Sequence, residues 1–278
     1  MTSVCTSESP WCAVLDARVA SYRQQLLLSQ QAMNVDVVHD LRVAIRRLLA
    51  LLELLHRLQL AKRHRKLRRR LQQQLKGLGD LRDTQVMCAA LPVDSFFTRD
   101  LHAREQQLLA AANSAAKKFP SARLFRRFEK IRVRLAALDD ASVGLAFESC
   151  CDLVDEAFAV VLARHAEADI ASPASIHRER IAFKRFRYSA EIACQLGLAP
   201  RSRLARLRTY QTLLGAIQDA DVLLVAMEQA APVRGNDNIQ PLLQRQRRRH
   251  KAALARFSKR SDALLSSLWL PVRREGCV

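Results

Sequence analysis

Aromatic residues, glycine and proline are all scarce in this sequence. Phenylalanine, tyrosine and tryptophan together make up 5% of the 278 residues, and there are only 7 glycines and 8 prolines. Few segments have the β-branched and aromatic content that is typical of strands. Alanine, leucine, arginine and glutamine, which are strong helix formers, are abundant instead. The composition therefore predicts an all-α fold, in a chain long enough for one large or two small domains.

The sequence also lacks paired cysteines and long apolar runs, and we expect no leader segment. The seven cysteines are odd in number and none has CxxC spacing, so we expect neither a disulfide framework nor a zinc site. No apolar run approaches the length of a membrane span, and Asp16 and Arg18 interrupt the mildly apolar start. We therefore expect a soluble cytoplasmic protein without metal or cofactor, whose cysteines are mostly reduced core thiols. They are Cys5, Cys12, Cys88, Cys150, Cys151, Cys194 and Cys277.

Acidic residues are few compared with basic residues. The net charge is +19, and the 46 cationic residues comprise 37 arginines and 9 lysines. Such an imbalance implies self-repulsion unless a polyanion neutralises it, and the arginine fork favours phosphate or carboxylate. Composition alone leaves a membrane surface, nucleic acid and polyphosphate as candidate partners.

One basic motif occurs twice. Residues 38–47 (VHDLRVAIRR) return as residues 176–185 (IHRERIAFKR), an offset of 138 residues between the two histidines. Each residue of a helix turns by about 100°, so Arg42 and Arg46 lie within about 60° of His39, and Arg47 lies about 80° to the other side. The first copy therefore predicts a helix with a basic stripe beside an apolar face.

The second copy repeats this stripe and lengthens it. His177, Arg180 and Lys184 take the equivalent positions, and Arg187 and Tyr188 extend the stripe by a turn. Each histidine could contact a ligand directly or orient a neighbouring carboxylate, and the sequence leaves both readings open. Two cationic stripes half a chain apart predict a duplicated fold in which two helices present positive charge to one shared anion.

A second repeated element supports the duplication. Residues 78–83 (LGDLRD) and 214–219 (LGAIQD) follow the two motifs in the same order. We therefore predict half-repeats at about 11–140 and 141–270, each with four main helices, between a disordered N-terminus (1–10) and a frayed tail (271–278). Because glycine disfavours a helix interior, Gly79 and Gly215 suggest close helix–helix approach. The expected helices are 11–33, 36–60, 62–90, 95–118, 120–139, 143–168, 174–196, 201–230 and 238–268.

Other charged residues extend or support the two stripes. A further basic stripe begins the third helix, and only a subset of the run 245–251 can face a groove. Glu53 and Glu191 repeat at the same offset of 138 and are expected to hold cations such as Arg187 in place. Asp83 and Asp219 are expected to fix arginine side chains rather than to bind metal. The additional predicted polyanion ligands are Lys62, Lys66, Arg69, Lys76, Arg245 and Arg249.

The paired motifs and LGxxxD elements resemble the CHAD domain, the conserved-histidine α-helical domain, over residues 12–268. The resemblance implies two pseudo-symmetric four-helix bundles enclosing a basic groove that binds inorganic polyphosphate, with no catalytic activity. It resembles the stand-alone form, because the chain has no room for a triphosphatase-type domain. The polyphosphate ligands that the resemblance implies are His39, Arg42, Arg46, Arg47, His177, Arg180, Lys184, Arg185, Arg187 and Tyr188.

The two copies differ in ways that make unequal contributions expected. Leu49 stands where the second copy has Arg187, and Asp80 and Arg82 become Ala216 and Gln218. Any role for the Asp80 and Arg82 pair is therefore confined to the first half.

Two other function classes stay open from the sequence. A nucleic-acid-binding helical protein would share the charge, although no helix-turn-helix, zinc finger or RNA-binding motif is found and stacking aromatics are few. A metal-dependent enzyme that processes polyphosphate would need clustered carboxylates, for which only Asp80 with Asp83 and Asp139 with Asp140 come into question. A scaffold role at polyphosphate granules is compatible with binding, other polyanions could compete, and protein partners are not indicated.

Overall fold

The computed structural model describes residues 9–60, 64–91, 96–230 and 239–269. These residues form ten helices and no strands, in agreement with the all-α prediction. No helix within these ranges is long and apolar enough to cross a membrane. The helices are α1 (Pro10–Gln31), α2 (Val35–Arg57), α3 (Arg65–Gly77), α4 (Gly79–Ala90), α5 (Phe96–Lys117), α6 (Ser121–Ala136), α7 (Asp140–Ala166), α8 (Pro173–Gln195), α9 (Arg203–Ala230) and α10 (Gln240–Leu268).

The third expected helix is in fact two helices. The predicted helix at 62–90 breaks at Leu78, and α3 and α4 lie on either side. Gly77 and Gly79 flank this leucine, and two glycines so close together weaken a helix more than one does. In the second half the residue that corresponds to Gly77 is Leu213, so only one glycine is present there. Helix α9 continues through this glycine, Gly215, without interruption.

The start of α2 also differs from its prediction. Asn34, rather than Asp36, is the N-cap, and its side chain accepts a hydrogen bond from the backbone N–H of Val37 at 2.9 Å. Asp36 lies in the first turn, where its charge favours the positive end of the helix dipole. The proposed caps Asp94 and Ser95 of the next helix lie outside the described residues.

The two motif helices lie together at the centre of the packing. Helix α2 packs against α1, α3 and α8, and α8 packs against α7 and α9. Helices α4 and α9, which carry the LGxxxD elements, also contact each other. The main core includes Tyr22, Ile45, Phe183 and Leu214, all fully buried and drawn from both halves of the sequence. Packing thus brings both repeated motifs to one region.

Helices α2 and α8 end in the same way. After α2 the N–H of Leu60 donates to the carbonyl of Leu55, and after α8 the N–H of Leu198 donates to that of Ala193. Both pairs belong to Schellman motifs, whose turning residue has a positive φ. That residue is Gln59 (φ 59°) in the first half and Gly197 (φ 79°) in the second, again 138 residues apart.

The glycines of the LGxxxD elements do not mark a close helix contact, contrary to the prediction. A Cβ atom at Gly215 would meet nothing within 4 Å, and one at Gly79 would lie 3.9 Å from Nη1 of Arg42. The second distance is ordinary van der Waals contact with a side chain. Gly79 is the first residue of α4 after the break and lies beside the guanidinium of Arg42.

Candidate functional site

Four cations from the two motif helices lie close enough to affect one another's pKa. We call Arg42, Arg46, Arg180 and Lys184 the central cationic cluster. Burial of Lys184 and the positive charges of Arg180, Arg46 and Arg42 lower the pKa of its ammonium to about 7. Because these charges come from α2 as well as α8, both copies of the motif contribute to one electrostatic site. The cluster has a surplus of positive charge in the free protein.

Arg42 is the most enclosed member of the cluster. Its side chain is buried, and Nη1 donates to the carbonyl of Leu75 at 3.1 Å. This carbonyl belongs to the last turn of α3, where the break at Leu78 leaves carbonyls without a partner within the helix. Burial and the charge of Arg46 lower the pKa of Arg42 to about 10. Arg42 therefore caps α3 while adding its charge to the cluster.

Arg180 lies between the acidic ends of the LGxxxD elements. Burial lowers its pKa, whereas the carboxylates of Asp219 and Asp83 favour the charged form. Its Nε atom is buried without a hydrogen-bond partner among the described residues. The charges of Asp83 and Asp219 thus stabilise the guanidinium, but neither carboxylate accepts a hydrogen bond from Nε, and their role in fixing arginine side chains stays a prediction.

The two motif histidines are both exposed but have different surroundings. Nδ1 of His177 lies 2.6 Å from Oε1 of Gln218, which is part of the second LGxxxD element. Partial burial and the charges of Arg82, Arg46 and Arg42 lower the pKa of His39. The difference follows from the sequence, since Arg82 and Gln218 occupy corresponding positions of the repeat. The lowered pKa favours the neutral form of His39 in the free protein.

A second group of charges joins α1, α2 and α8, and we call Arg18, Arg47, Arg187 and Glu191 the Glu191 cluster. Glu191 accepts from Nε of Arg47 at 3.0 Å and from Nη2 of Arg187 at 2.7 Å. This confirms the expected pairing of Glu191 with Arg187 and adds Arg47, so the carboxylate joins α2 to α8. A cavity of about 250 Å³ adjoins the cluster, and it is also lined by Gln195 and Arg208.

Arg18 is the important cation that the sequence reasoning missed. It is buried, and its guanidinium donates to Oε1 of Gln195 at 3.0 and 2.8 Å and to the carbonyl of Arg47 at 2.6 Å. Burial lowers its pKa to about 10, and the carboxylate of Glu191 opposes this effect. The available signal was its spacing from Leu15 and Tyr22, which places an arginine on the apolar face of α1.

The remaining predicted ligands lie in several places. Tyr188 is buried beside the guanidinium of Arg187, 5.6 Å from the centre of its ring, and Arg185 is exposed. Arg249 donates to the carbonyl of Ala90 at 2.9 Å and so caps α4, while Arg245 is exposed on α10. Lys62 lies outside the described residues. Three predicted ligands are exposed on α3: Lys66, Arg69 and Lys76.

The fold and the site define an all-helical protein with a repeated cationic motif. The family model of the CHAD domain matches residues 13–228, and the chain belongs to this family.

Two solved structures share the fold. The CHAD domain from the plant Ricinus communis superposes with a TM-score of 0.66 at 22% identity, over 94% of this chain and 92% of that one. PptA from Streptomyces chartreusis superposes with a TM-score of 0.60 at 19% identity, over 92% of this chain and 100% of that one. No curated protein matches the sequence.

Proposed function

We propose that this protein binds inorganic polyphosphate through the central cationic cluster and does not act on it chemically. The observation that carries the proposal is that Arg42, Arg46 and Arg180 act together on the ammonium of Lys184. Each motif helix contributes two of these four cations, and the pKa of the ammonium is lowered to about 7. Positive charges that raise one another's free energy are stabilised when a polyanion enters between them.

The chemistry of polyphosphate suits such a cluster. The polymer carries about one negative charge per phosphoryl unit and no bases to recognise, so a row of guanidinium and ammonium groups is sufficient. The buried Nε of Arg180, which has no partner among the described residues, is a donor available to a phosphoryl oxygen or to a water that bridges to one. Other polyanions of similar charge density are expected to compete.

We further infer that the binding groove lies between two pseudo-symmetric halves of four main helices. The correspondence of α2 with α8, the contact between these helices and their matching C-terminal turns support this inference. The exposed cations of α3 and Arg245 of α10 would lengthen the path available to a long polymer. Binding of this kind also suits association with polyphosphate granules.

The acidic residues support binding rather than catalysis. Asp139 caps α7 by accepting a hydrogen bond from the N–H of Ser142 at 2.8 Å, which assigns it a local structural role. Asp83 and Asp219 oppose the positive charge of Arg180. One carboxylate of each pair considered for metal-dependent hydrolysis therefore has another role, Asp139 at a helix cap and Asp83 beside Arg180.

The test is a titration with long-chain polyphosphate at two salt concentrations. The variant Arg46→Gln/Lys184→Gln removes one charge from each motif helix, and the matched control Arg123→Gln/Lys130→Gln removes two exposed charges from α6. We expect the first variant to bind more weakly and its slope of log K against log salt to be shallower by about 1.5, by analogy with nucleic acids. The control should keep the wild-type slope.

Three outcomes would contradict the proposal or favour a competing function. Equal weakening by both variants would mean that binding depends on general charge and would reject the central cluster as the site. Displacement of polyphosphate by an equal charge concentration of DNA or RNA would favour a nucleic-acid binder. Release of phosphate in the presence of Mg²⁺ or Mn²⁺ would contradict the non-catalytic role.

A further inference from the structure

Three potential metal ligands meet between α4 and α5, and none of them is a member of either cationic cluster. Cys88 lies in the last turn of α4, and His102 and Glu105 lie one turn apart on α5. One ligand atom from each residue lies within 4.8 Å of the others, and Nδ1 of His102 is 3.4 Å from Oε2 of Glu105. The sequence prediction of no zinc site considered cysteine spacing alone, and these residues are separated by 14 and 3 positions.

The three donors match the preferences of zinc. A thiolate, an imidazole and a carboxylate are its three common protein ligands, and three protein ligands with one water complete a tetrahedral site. With the usual zinc–ligand distances, neighbouring donor atoms are about 3.3–3.6 Å apart. The donors must therefore approach by about 1 Å, which rotation of three side chains on two fixed helices can supply.

The local charge also favours a divalent cation, despite the net charge of +19. Cys88 is half-buried, and Glu105 accepts a hydrogen bond from its thiol. Burial and the carboxylate of Glu105 raise the pKa of the thiol to about 11. No cation contributes to this shift. A bound Zn²⁺ would replace the thiol proton, and its two charges would be balanced by the thiolate and the carboxylate.

We propose that Cys88, His102 and Glu105 form a zinc-binding site that ties the end of α4 to α5. The site is independent of the polyphosphate proposal, since none of the three residues belongs to either cationic cluster. Helix α4 carries Arg82 and Asp83 of the first LGxxxD element, and its last carbonyls contact Arg249 of α10. Bound zinc would therefore stabilise the helix that supports this part of the basic face.

The experiment uses the full chain, freed of metal by a chelator and kept reduced, in the absence of polyphosphate. Zinc affinity is measured by competition with a chromophoric chelator, and Co²⁺ serves as a spectroscopic substitute. The variants are Cys88→Ser, His102→Ala and Glu105→Gln, with Cys151→Ser as the matched thiol control. Circular dichroism establishes that each variant is folded, and the exposed His102 provides a substitution that leaves the core intact.

We expect one Zn²⁺ per chain and a thiolate-to-cobalt charge-transfer band, which Cys88→Ser abolishes and Cys151→Ser preserves. His102→Ala and Glu105→Gln should each weaken zinc binding by about tenfold or more, since even loss of an outer-shell partner costs that much. Affinity should rise with pH, by about tenfold per unit while the thiol must lose its proton. Wild-type affinity in His102→Ala and Glu105→Gln, absence of the charge-transfer band or failure of the wild type to bind zinc would each overturn the proposal.

Discussion

The pKa of Lys184 depends on whether a polyanion is bound to the central cationic cluster. Burial and three neighbouring arginine charges lower the pKa of its ammonium to about 7. A bound polyanion would neutralise those charges and return this pKa toward its ordinary value near 10. The pKa of Lys184 is then higher in the complex than in the free protein. Binding therefore takes up a proton at pH values between these two pKa values. The affinity should be greatest below about pH 7 and fall as the pH rises.

We expect proton uptake on binding at pH 8, of at most about one proton per bound site. Calorimetric titrations with polyphosphate in two buffers of different ionisation enthalpy measure it directly. Lys184→Gln removes the titrating group and should remove most of the uptake. Equal proton uptake by wild type and Lys184→Gln would show that Lys184 does not respond to the ligand.

Glu191 affects its neighbours in the opposite way to the cations around Lys184. Its negative charge stabilises the positive charges beside it, whereas like charges destabilise one another. It is 10% exposed and pairs with Arg47 and Arg187, and its charge also favours the ionised form of the buried Arg18. We expect Glu191→Gln to lower the free energy of unfolding by about 2 kcal/mol, because enclosed cations lose their counter-charge.

The matched control is Glu53→Gln at the equivalent position of the repeat. Glu53 is 47% exposed and pairs with the partly exposed Arg68, so the expected loss is below about 1 kcal/mol. Denaturant unfolding of the three proteins gives both values. Similar losses in the two variants would contradict the special role of Glu191.

At the scale of the helix, the matching ends of α2 and α8 provide a comparison within one molecule. Both turns require a residue with a positive φ, which glycine adopts without strain and glutamine does not. We expect Gln59→Gly to raise the free energy of unfolding by about 1 kcal/mol and Gly197→Ala to lower it by a similar amount. Thermal or denaturant unfolding of the two variants provides the measurement.

Gly215→Ala is the control for this pair. Gly215 lies inside α9 without a positive φ, and a Cβ atom there meets nothing within 4 Å, so alanine should stabilise the protein by about 0.5–1 kcal/mol. Destabilisation by this change would restore the interpretation of Gly215 as a close-contact residue. The three substitutions thus distinguish the backbone role of glycine from a packing role.

At the scale of the whole molecule, the net charge of +19 makes stability depend on what surrounds the protein. Polyphosphate that binds only the folded state, at 100 times its Kd, would add about 2.7 kcal/mol. For a chain of this length that corresponds to a rise in Tm of about 5 °C. The rise should shrink as salt is added, because screening weakens the interaction.

Thermal unfolding with and without polyphosphate, at low and high salt, measures this effect. Arg46→Gln/Lys184→Gln should lose most of the rise, and Arg123→Gln/Lys130→Gln should keep it. A rise that is the same in both variants would show that the stabilisation comes from the overall charge.

Much of the fold follows from the sequence alone, because helix formation depends on local spacing. The apolar periodicity and the punctuating residues placed most of the described helices within a few residues of their observed bounds. The repeat of His39 at His177 predicted the family, which the family model confirms. Where this reasoning failed, as at Leu78, the outcome depended on the combined weakness of two neighbouring glycines.

The arrangement of the charges was decided by tertiary packing. Helical spacing places Arg42 on the basic stripe, but only the break between α3 and α4 provides the carbonyl of Leu75 to which it donates. Likewise, spacing does not show that Arg18 reaches Gln195, or that Cys88 lies beside His102. The period of a helix determines which residues share a face, whereas the contact between two faces depends on how distant helices pack.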